Sequence, residues 1–332
     1  MSATLSQDEA LLLAAAGHAR LAPSVHNTQP WSFHLRNGAM ELHSDPARAL
    51  GALDPTGREM TMSCGAALAQ LRIALAAQGA QCEVVSFPDA ARPHVVAEVR
   101  VTGHHGADPE AIAFDALTEV RQTNRRAFHG HVPDEDVEAL RTIARRYGCE
   151  LQPVTSDTDR AIVSVWQQAA DAQQVLDPAY RRELRSWVGV DRMDDGIPLA
   201  GTVDASRPPH DFAARDFALA GTGGIPEGED DPTTPLFLLV TAADDRVSWV
   251  AAGEAMAVVW LEATRRGLAV QPLSQCVEHP TIRNRIRNDL RLLGMWPQLL
   301  LRVGYARPQP RTPRRKQADV VRIDSTCAEA TG

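Results

Sequence analysis

SCGAALAQLRIALAAQGAQCEVVS, residues 63–86, and AAGEAMAVVWLEATRRGLAVQPLS, residues 251–274, can be laid on each other without a gap, and that alignment decides the fold. Each is a long apolar helix followed by a short β-like stretch that ends at Ser86 or Ser274. Gly65 and Gly79 lie fourteen residues apart in the first, and Gly253 and Gly267 have the same spacing in the second. Working outward, each copy has an earlier amphipathic helix, at about 6–20 and 133–147. Each also has a later strand, PHVVAEVRVT (93–102) or PQLLLRVGYA (297–306). Two alanine-rich helices can resemble each other through composition alone, but the shared order of elements reads as a diverged internal duplication rather than a short-period solenoid.

The chain of 332 residues, 44% hydrophobic and 23% charged, can bury one large core or two joined ones. Its net charge of −8 argues against a general nucleic-acid surface, which needs clustered basic residues. Lys316 is the only lysine, so a bound phosphate would be gripped by guanidinium groups. The longest apolar runs, such as PLFLLVTAA (235–243), fall short of the roughly 20 residues of a membrane span. A polar start after Met1 adds the expectation of a cytoplasmic protein with no membrane partner. Five cysteines without CxxC spacing read as reduced structural thiols. The histidine pairs lack accompanying ligands, so no metal is expected. There is no GxSxG nucleophile elbow and no GxxxxGK[ST] phosphate loop.

Three polar stretches stand out against this background. APSVHNTQPW (22–31) begins where a helix opened by a Ser6/Glu9 capping box must end, before Pro23. After it Trp31, Phe33 and Leu35 alternate, Asn37-Gly38 signals a hairpin and AMELH returns, so this neutral polar segment is a loop feeding a sheet edge. RQTNRR (121–126) lies between a helix starting near Asp108-Pro109 and another starting at Pro133. Three arginines beside Thr123 and Asn124 suit a phosphate with an attached polyol, or equally a solvated basic helix end. RTPRRK (311–316) follows the last strand, as a further phosphate grip or a surface tail. Residues 187–235 are rich in Gly, Pro and Asp with little periodicity, which suggests a lid.

Together these stretches resemble a known family. APSVHNTQPW is similar to the APSxxNxQPW signature of flavin-dependent nitroreductases, and RQTNRRAF resembles their RxSxRxF element. QPLSQ (271–275) with LLLRVGYA (299–306) is similar to their flavin-ring segment and closing strand. The usual order of the first two elements is inverted here, and each occurs once. That pattern, with the TPRR tail, resembles the Acg-like nitroreductases of mycobacteria and related actinobacteria.

The resemblance implies an α+β nitroreductase-like fold, internally duplicated so that one chain mimics the usual dimer. Its halves would be 1–107 and 108–332, the second including a lid at about 187–235. It implies one FMN site in a monomer acting as a pseudo-dimer. Pro23, Ser24, Val25 and Asn27 would contact the cofactor from one half, and Arg121, Thr123 and Arg125 would hold ribityl, ring edge and phosphate from the other. Arg314 and Arg315 would close on the phosphate, while Pro272, Leu273 and Ser274 line the ring near N5. Gln29 and Trp31 would be structural. The implied activity is electron transfer from NAD(P)H through FMN to a small nitroaromatic or quinone acceptor. Arg121 would stabilise the reduced ring, and Ser274, with Gln275, would stand where relatives often have an acidic residue and glycine. The alternative is a protein that sequesters FMN beneath a lid without turnover, and a third reading is an unliganded scaffold.

Overall fold

The structure is a computed structural model, and it describes residues 5–189, 191–198, 215, 231 and 233–324. Ser6 starts the fold by capping α1 (Gln7–Ala19): its Oγ accepts from Glu9 N at 3.2 Å while its own N–H donates to the Glu9 carboxylate at 2.8 Å. Strands β1 (Trp31–Arg36) and β2 (Ala39–Ser44) form a hairpin through Asn37 and Gly38, both at positive φ, 51° and 68°. Helix α2 (Arg58–Ala77) leads to β3 (Ala80–Ser86), β4 (Val95–His104) and α3 (Pro109–Thr118). Next come β5 (Phe128–His129), α4 (Asp134–Arg146) and β6 (Cys149–Pro153). A long excursion carries α5 (Asp157–Leu176), α6 (Pro178–Trp187), β7 (Val188–Gly189) and β8 (Ile197–Pro198). The chain returns through β9 (Leu236–Thr241), α7 (Arg246–Arg265), β10 (Ala269–Pro272), α8 (Gln275–Glu278), α9 (Pro280–Asp289) and β11 (Trp296–Ala306). It ends with α10 (Gln317–Val320) and β12 (Val321–Ile323).

Two mixed layers repeat one plan. The first sheet runs β12-β1-β2-β4-β3 and the second β10-β11-β9-β6, with β5 added to β11. Replacing β1, β2, β4 and β3 by β6, β9, β11 and β10 reproduces the strand order, and every matched pair is antiparallel in both sheets. The duplication is therefore visible in the architecture itself. Where the first copy has the two-residue Asn37-Gly38 turn, the second has everything from residue 154 to residue 235.

The layers meet at α2 and α7, each lying on its own sheet and packed against the other. A Cβ on Gly65 would stand 2.2 Å from the Val250 carbonyl oxygen, and one on Gly253 would stand 1.9 Å from that of Met62. The contact is reciprocal: each glycine faces the residue three positions before the other, as at a two-fold axis. Only the absence of side chains lets the backbones approach this closely. The core between the layers runs from Leu68 and Leu71 on α2 to Val258 and Leu261 on α7, and two smaller apolar clusters lie outside it. Helix α2 is also long and apolar enough to cross a membrane, although 78% of that stretch is buried within the fold.

Strand β12 crosses between the expected halves. The boundary at 107/108 does not part the sheets, because β12 leaves the C-terminal half and pairs in parallel with β1, Phe33 opposite Val321. An isolated three-residue strand has no hydrogen-bonding partner nearby in sequence, so it completes the open edge of β1. Of the segment 187–235 expected as a lid, residues 190, 199–214, 216–230 and 232 lie outside the described residues.

Candidate functional site

The two halves line a common cleft, with residues of α2 and of the loop before β1 on one side and residues of α7, β10 and β11 on the other. Its walls come from the loop after α1, the face of α2, the segment after α3, the β10–α8 junction and the C-terminal tail.

The loop is held in a costly conformation. His26, Asn27 and Gln29 sit at φ of 48°, 54° and 48°, a left-handed region that costs a non-glycine residue roughly 1–2 kcal/mol. Hydrogen bonds from several parts of the chain fix it there. Gln29 N donates to Ser24 Oγ at 2.9 Å and Val25 N to Ser63 Oγ at 3.3 Å. The Asn27 amide donates to the carbonyls of Gly196 (2.8 Å) and Pro313 (3.0 Å), and its oxygen accepts from Arg314 at 2.9 Å. Buried Gln29 donates to Asp194 O and accepts from Arg315 N, at 2.9 and 2.8 Å. Arg48 joins Thr28 O to Asp195. The strip at 194–197 thus lies docked on the loop, and Ile197 reaches the cleft.

RQTNRR is a connecting segment that meets the second sheet at one isolated bridge, Thr123 to Val270. Arg121, Thr123 and Arg125 line the cleft. The residues between them are tied outward: Gln122 Oε1 accepts from Gln309 N at 3.2 Å, and Asn124 Nδ2 donates to Arg307 O at 2.8 Å. Thr123 bridges to Val270 beside β10, and Asn124 N donates to Val270 O at 3.0 Å.

Arg121, Arg125 and Arg314 differ from surface arginines. Burial, then the neighbouring Arg314, lowers Arg121 to about 9. Burial and Arg215 lower Arg125 to about 10, and burial and Arg20 do the same to Arg314. Among the described residues no carboxylate pairs with Arg121 or Arg314, and Arg121 Nε and Nη1 have no hydrogen-bond partner. The Arg121 guanidinium lies 4.8 Å from the centre of the Trp260 ring. Cations held this way suit an anion, because charge brought in by a ligand offsets both their desolvation and their mutual repulsion.

The opposite end is built around Ser274. Arg215, from the irregular insert, reaches Ser274 Oγ at 3.4 Å, pairs with buried Glu278 and donates to the Tyr180 hydroxyl. The Glu278 carboxylate also accepts from Gln174 at 2.6 Å, and Arg215 holds its pKa below the ordinary glutamate value despite burial. Glu59, paired with Arg58, faces the cleft, and burial raises its pKa. His26, desolvated and near Arg215 and Arg125, is held well below the usual histidine value and is neutral. Gln271 Oε1 and Gln275 Nε2 are buried with no partner among the described residues.

The cleft therefore brings together Pro23, Ser24, Val25, Asn27, Arg121, Thr123, Arg125, Pro272, Ser274 and Arg314. It does not include Leu273 or Arg315. Leu273 turns into the core with Val277 and Leu300. The Arg315 guanidinium donates to the carbonyls of Gln29 (3.2 Å), Trp31 (3.2 Å) and Asp319 (2.9 Å), a strut between the tail and β1. Both amide atoms of Asn27 are used within the protein, so it orients Arg314 rather than offering a free donor. Sequence reasoning missed Arg215, Glu59, His26, Gln271 and Trp260. Gln271 and Trp260 lie within the repeated segments quoted above, and His26 within the motif loop. Burial pushes the Cys64 and Cys276 thiols up to about 12, the behaviour of structural cysteines.

No protein-family model matches the chain. It is 36% identical over 313 residues to "Putative NAD(P)H nitroreductase Rv3131" of Mycobacterium tuberculosis, covering 90% of this chain and 88% of that protein. It is 32% identical over 317 residues to "Putative NAD(P)H nitroreductase acg" of the same organism, covering 91% and 92%. Among solved structures, the FMN-dependent nitroreductase NfnB from Mycobacterium smegmatis, in complex with NADPH, aligns at 16% identity and a TM-score of 0.40 over 65% of this chain and 100% of that one.

Proposed function

Because the chain belongs to the Acg-like NAD(P)H nitroreductases, we propose that it binds one FMN in the cleft and works as an NAD(P)H-dependent reductase of nitroaromatic or quinone-type acceptors. The observation that supports this most directly is Arg121: a guanidinium 5% exposed, with two nitrogens unpaired, beside the half-buried Arg314. That pair fits a phosphate. The unpaired Gln271 and Gln275 amide atoms fit a heterocycle edge that alternates donors and acceptors.

The charges favour a division of labour different from the one the resemblance implies. Arg121 neighbours Arg314, so both would hold the phosphate. Arg125 neighbours Arg215, which touches Ser274, so Arg125 would lie toward the ring rather than the phosphate. Thr123 lies between them in sequence and would face the ribityl hydroxyls. When bound, FMN supplies hydride acceptance from the nicotinamide and electron delivery to the acceptor. The protein's own contribution is to position: the chain's own hydrogen bonds hold the strained loop, and Trp260 backs Arg121.

Anaerobic NADPH or NADH added to the FMN-loaded protein tests this, with loss of the visible flavin band as the expected result. A second reading, FMN sequestration, is favoured by the Arg215–Glu278 pair in the wall and by the 194–197 strip docked on the loop. Bound FMN that dithionite reduces but neither nicotinamide does would establish that reading and reject the reductase.

A further inference from the structure

Among the described residues that line the cleft, four are arginines and one, Glu59, carries a carboxyl. Glu59 stands in the first turn of α2, on the face that also brings Met62 and Ser63 to the cleft, and its side chain is 8% exposed. Its two oxygens are used differently. Oε1 accepts from Arg58 Nη2, and the Arg58 guanidinium is fixed in turn by the carbonyls of Gln298 (2.6 Å) and Val277 (3.0 Å). No hydrogen bond among the described residues reaches Oε2, which leaves that oxygen to the cleft. The other charged groups around it are Glu278 on α8, Asp54 in the loop before α2 and Arg215 from the insert. Burial raises the carboxyl, Arg58 and Arg215 lower it, Glu278 and Asp54 raise it again, and its pKa comes to about 7.

Reducing a nitro group takes protons as well as electrons, and the other side chains of the cleft are poor sources. His26 is neutral and has already lost its acidic proton. Arg121, Arg125 and Arg314 keep theirs to about 9, 10 and 10, and Arg215 keeps its own more tightly still. Serine and threonine hydroxyls are far weaker acids than a carboxyl. We propose that Glu59 is the catalytic acid of the acceptor step, its Oε2 giving a proton to an oxygen of the acceptor as hydride arrives from the reduced flavin. This rests on the reading of the cleft as the flavin site of a reductase. For a nitro group the step balances: hydride brings two electrons and one hydrogen, Glu59 brings the second hydrogen, an N–O bond breaks, and water leaves a nitroso compound behind. The Glu59 carboxylate that remains is held by Arg58 and regains its proton from solvent.

Glu59→Gln tests the assignment, since the amide keeps the size and an oxygen for Arg58. The FMN-loaded full chain is reduced with dithionite and mixed anaerobically with nitrofurazone, which needs protons, or with ferricyanide, which takes electrons alone. The expected result is a nitrofurazone rate about 100-fold lower in Glu59→Gln, with the ferricyanide rate changed less than about two-fold. In the wild type the nitrofurazone rate should fall as pH rises through about 7, and the variant should lose that dependence. A readout without flavin is the infrared band of the protonated carboxyl in the ligand-free protein, which should fade between about pH 6 and pH 8 and be missing from Glu59→Gln. Should the variant not fold, the wild-type pH profile and band decide the matter. An unchanged nitrofurazone rate overturns the proposal, because solvent then supplies the proton. Equal losses with both acceptors overturn it too, since Glu59 would then only support the fold. Reduced protein that serves ferricyanide but not nitrofurazone overturns it and leaves FMN binding standing, whereas failure to bind FMN removes the flavin reading together with this one.

Discussion

Arg121 sets binding against stability. Its pKa falls from the ordinary arginine value to about 9 because the folded protein desolvates it beside Arg314. Between those values the unfolded chain holds the proton more tightly, so this group makes stability rise with pH through that window. Removing the charge should therefore stabilise the ligand-free protein: Arg121→Met is expected to gain roughly 1 kcal/mol in denaturant unfolding while weakening FMN binding by about 10- to 100-fold. The same linkage predicts that FMN raises Tm more at about pH 7 than at about pH 10, where the Arg121 charge is being lost. An equal FMN-induced rise at both values would mean that Arg121 does not hold the phosphate. Residues of this kind were legible where a motif resemblance marked them, as with Arg121, Thr123 and Arg125 in RQTNRRAF, all three of which line the cleft. Arg215 was not, because it comes from a segment without periodicity and meets Ser274 and Glu278 only through the fold.

At the scale of elements, the paired helices are the least tolerant part of the structure. Gly65→Ala or Gly253→Ala would drive a methyl group into a backbone oxygen at 2.2 or 1.9 Å, and neither helix can yield without lifting a sheet. Each is expected to destabilise by about 3 kcal/mol or more, or to prevent soluble expression. Gly51→Ala, which meets nothing within 4 Å, should stay within about 0.5 kcal/mol and serves as the control in the same urea titration. The helices and the Asn37-Gly38 hairpin could be read from sequence because period and turn chemistry are local signals. The β12 pairing could not: three residues, Val321–Ile323, find a strand that begins at Trp31, and nothing around them records it.

For the whole molecule, the two copies share a plan but not a pocket. Residues 20–30 separate α1 from β1, whereas only Tyr147 and Gly148 separate α4 from β6, so the second copy has no counterpart to the motif loop. A flavin titration followed by absorbance should saturate at one FMN per chain; two would contradict the asymmetry. Ending the chain after Pro310 removes Arg314 and β12 together and should cost FMN affinity about a hundred-fold or more. It should also leave β1 with an open edge that promotes aggregation, measurable by light scattering. The β12–β1 pairing bears, finally, on how the protein is made. During translation the first sheet leaves the ribosome early yet must wait, one border unfinished, until residues 321–323 have been added. The same segment brings Arg314, so a chain that has not yet reached it has neither a finished sheet nor a finished cleft.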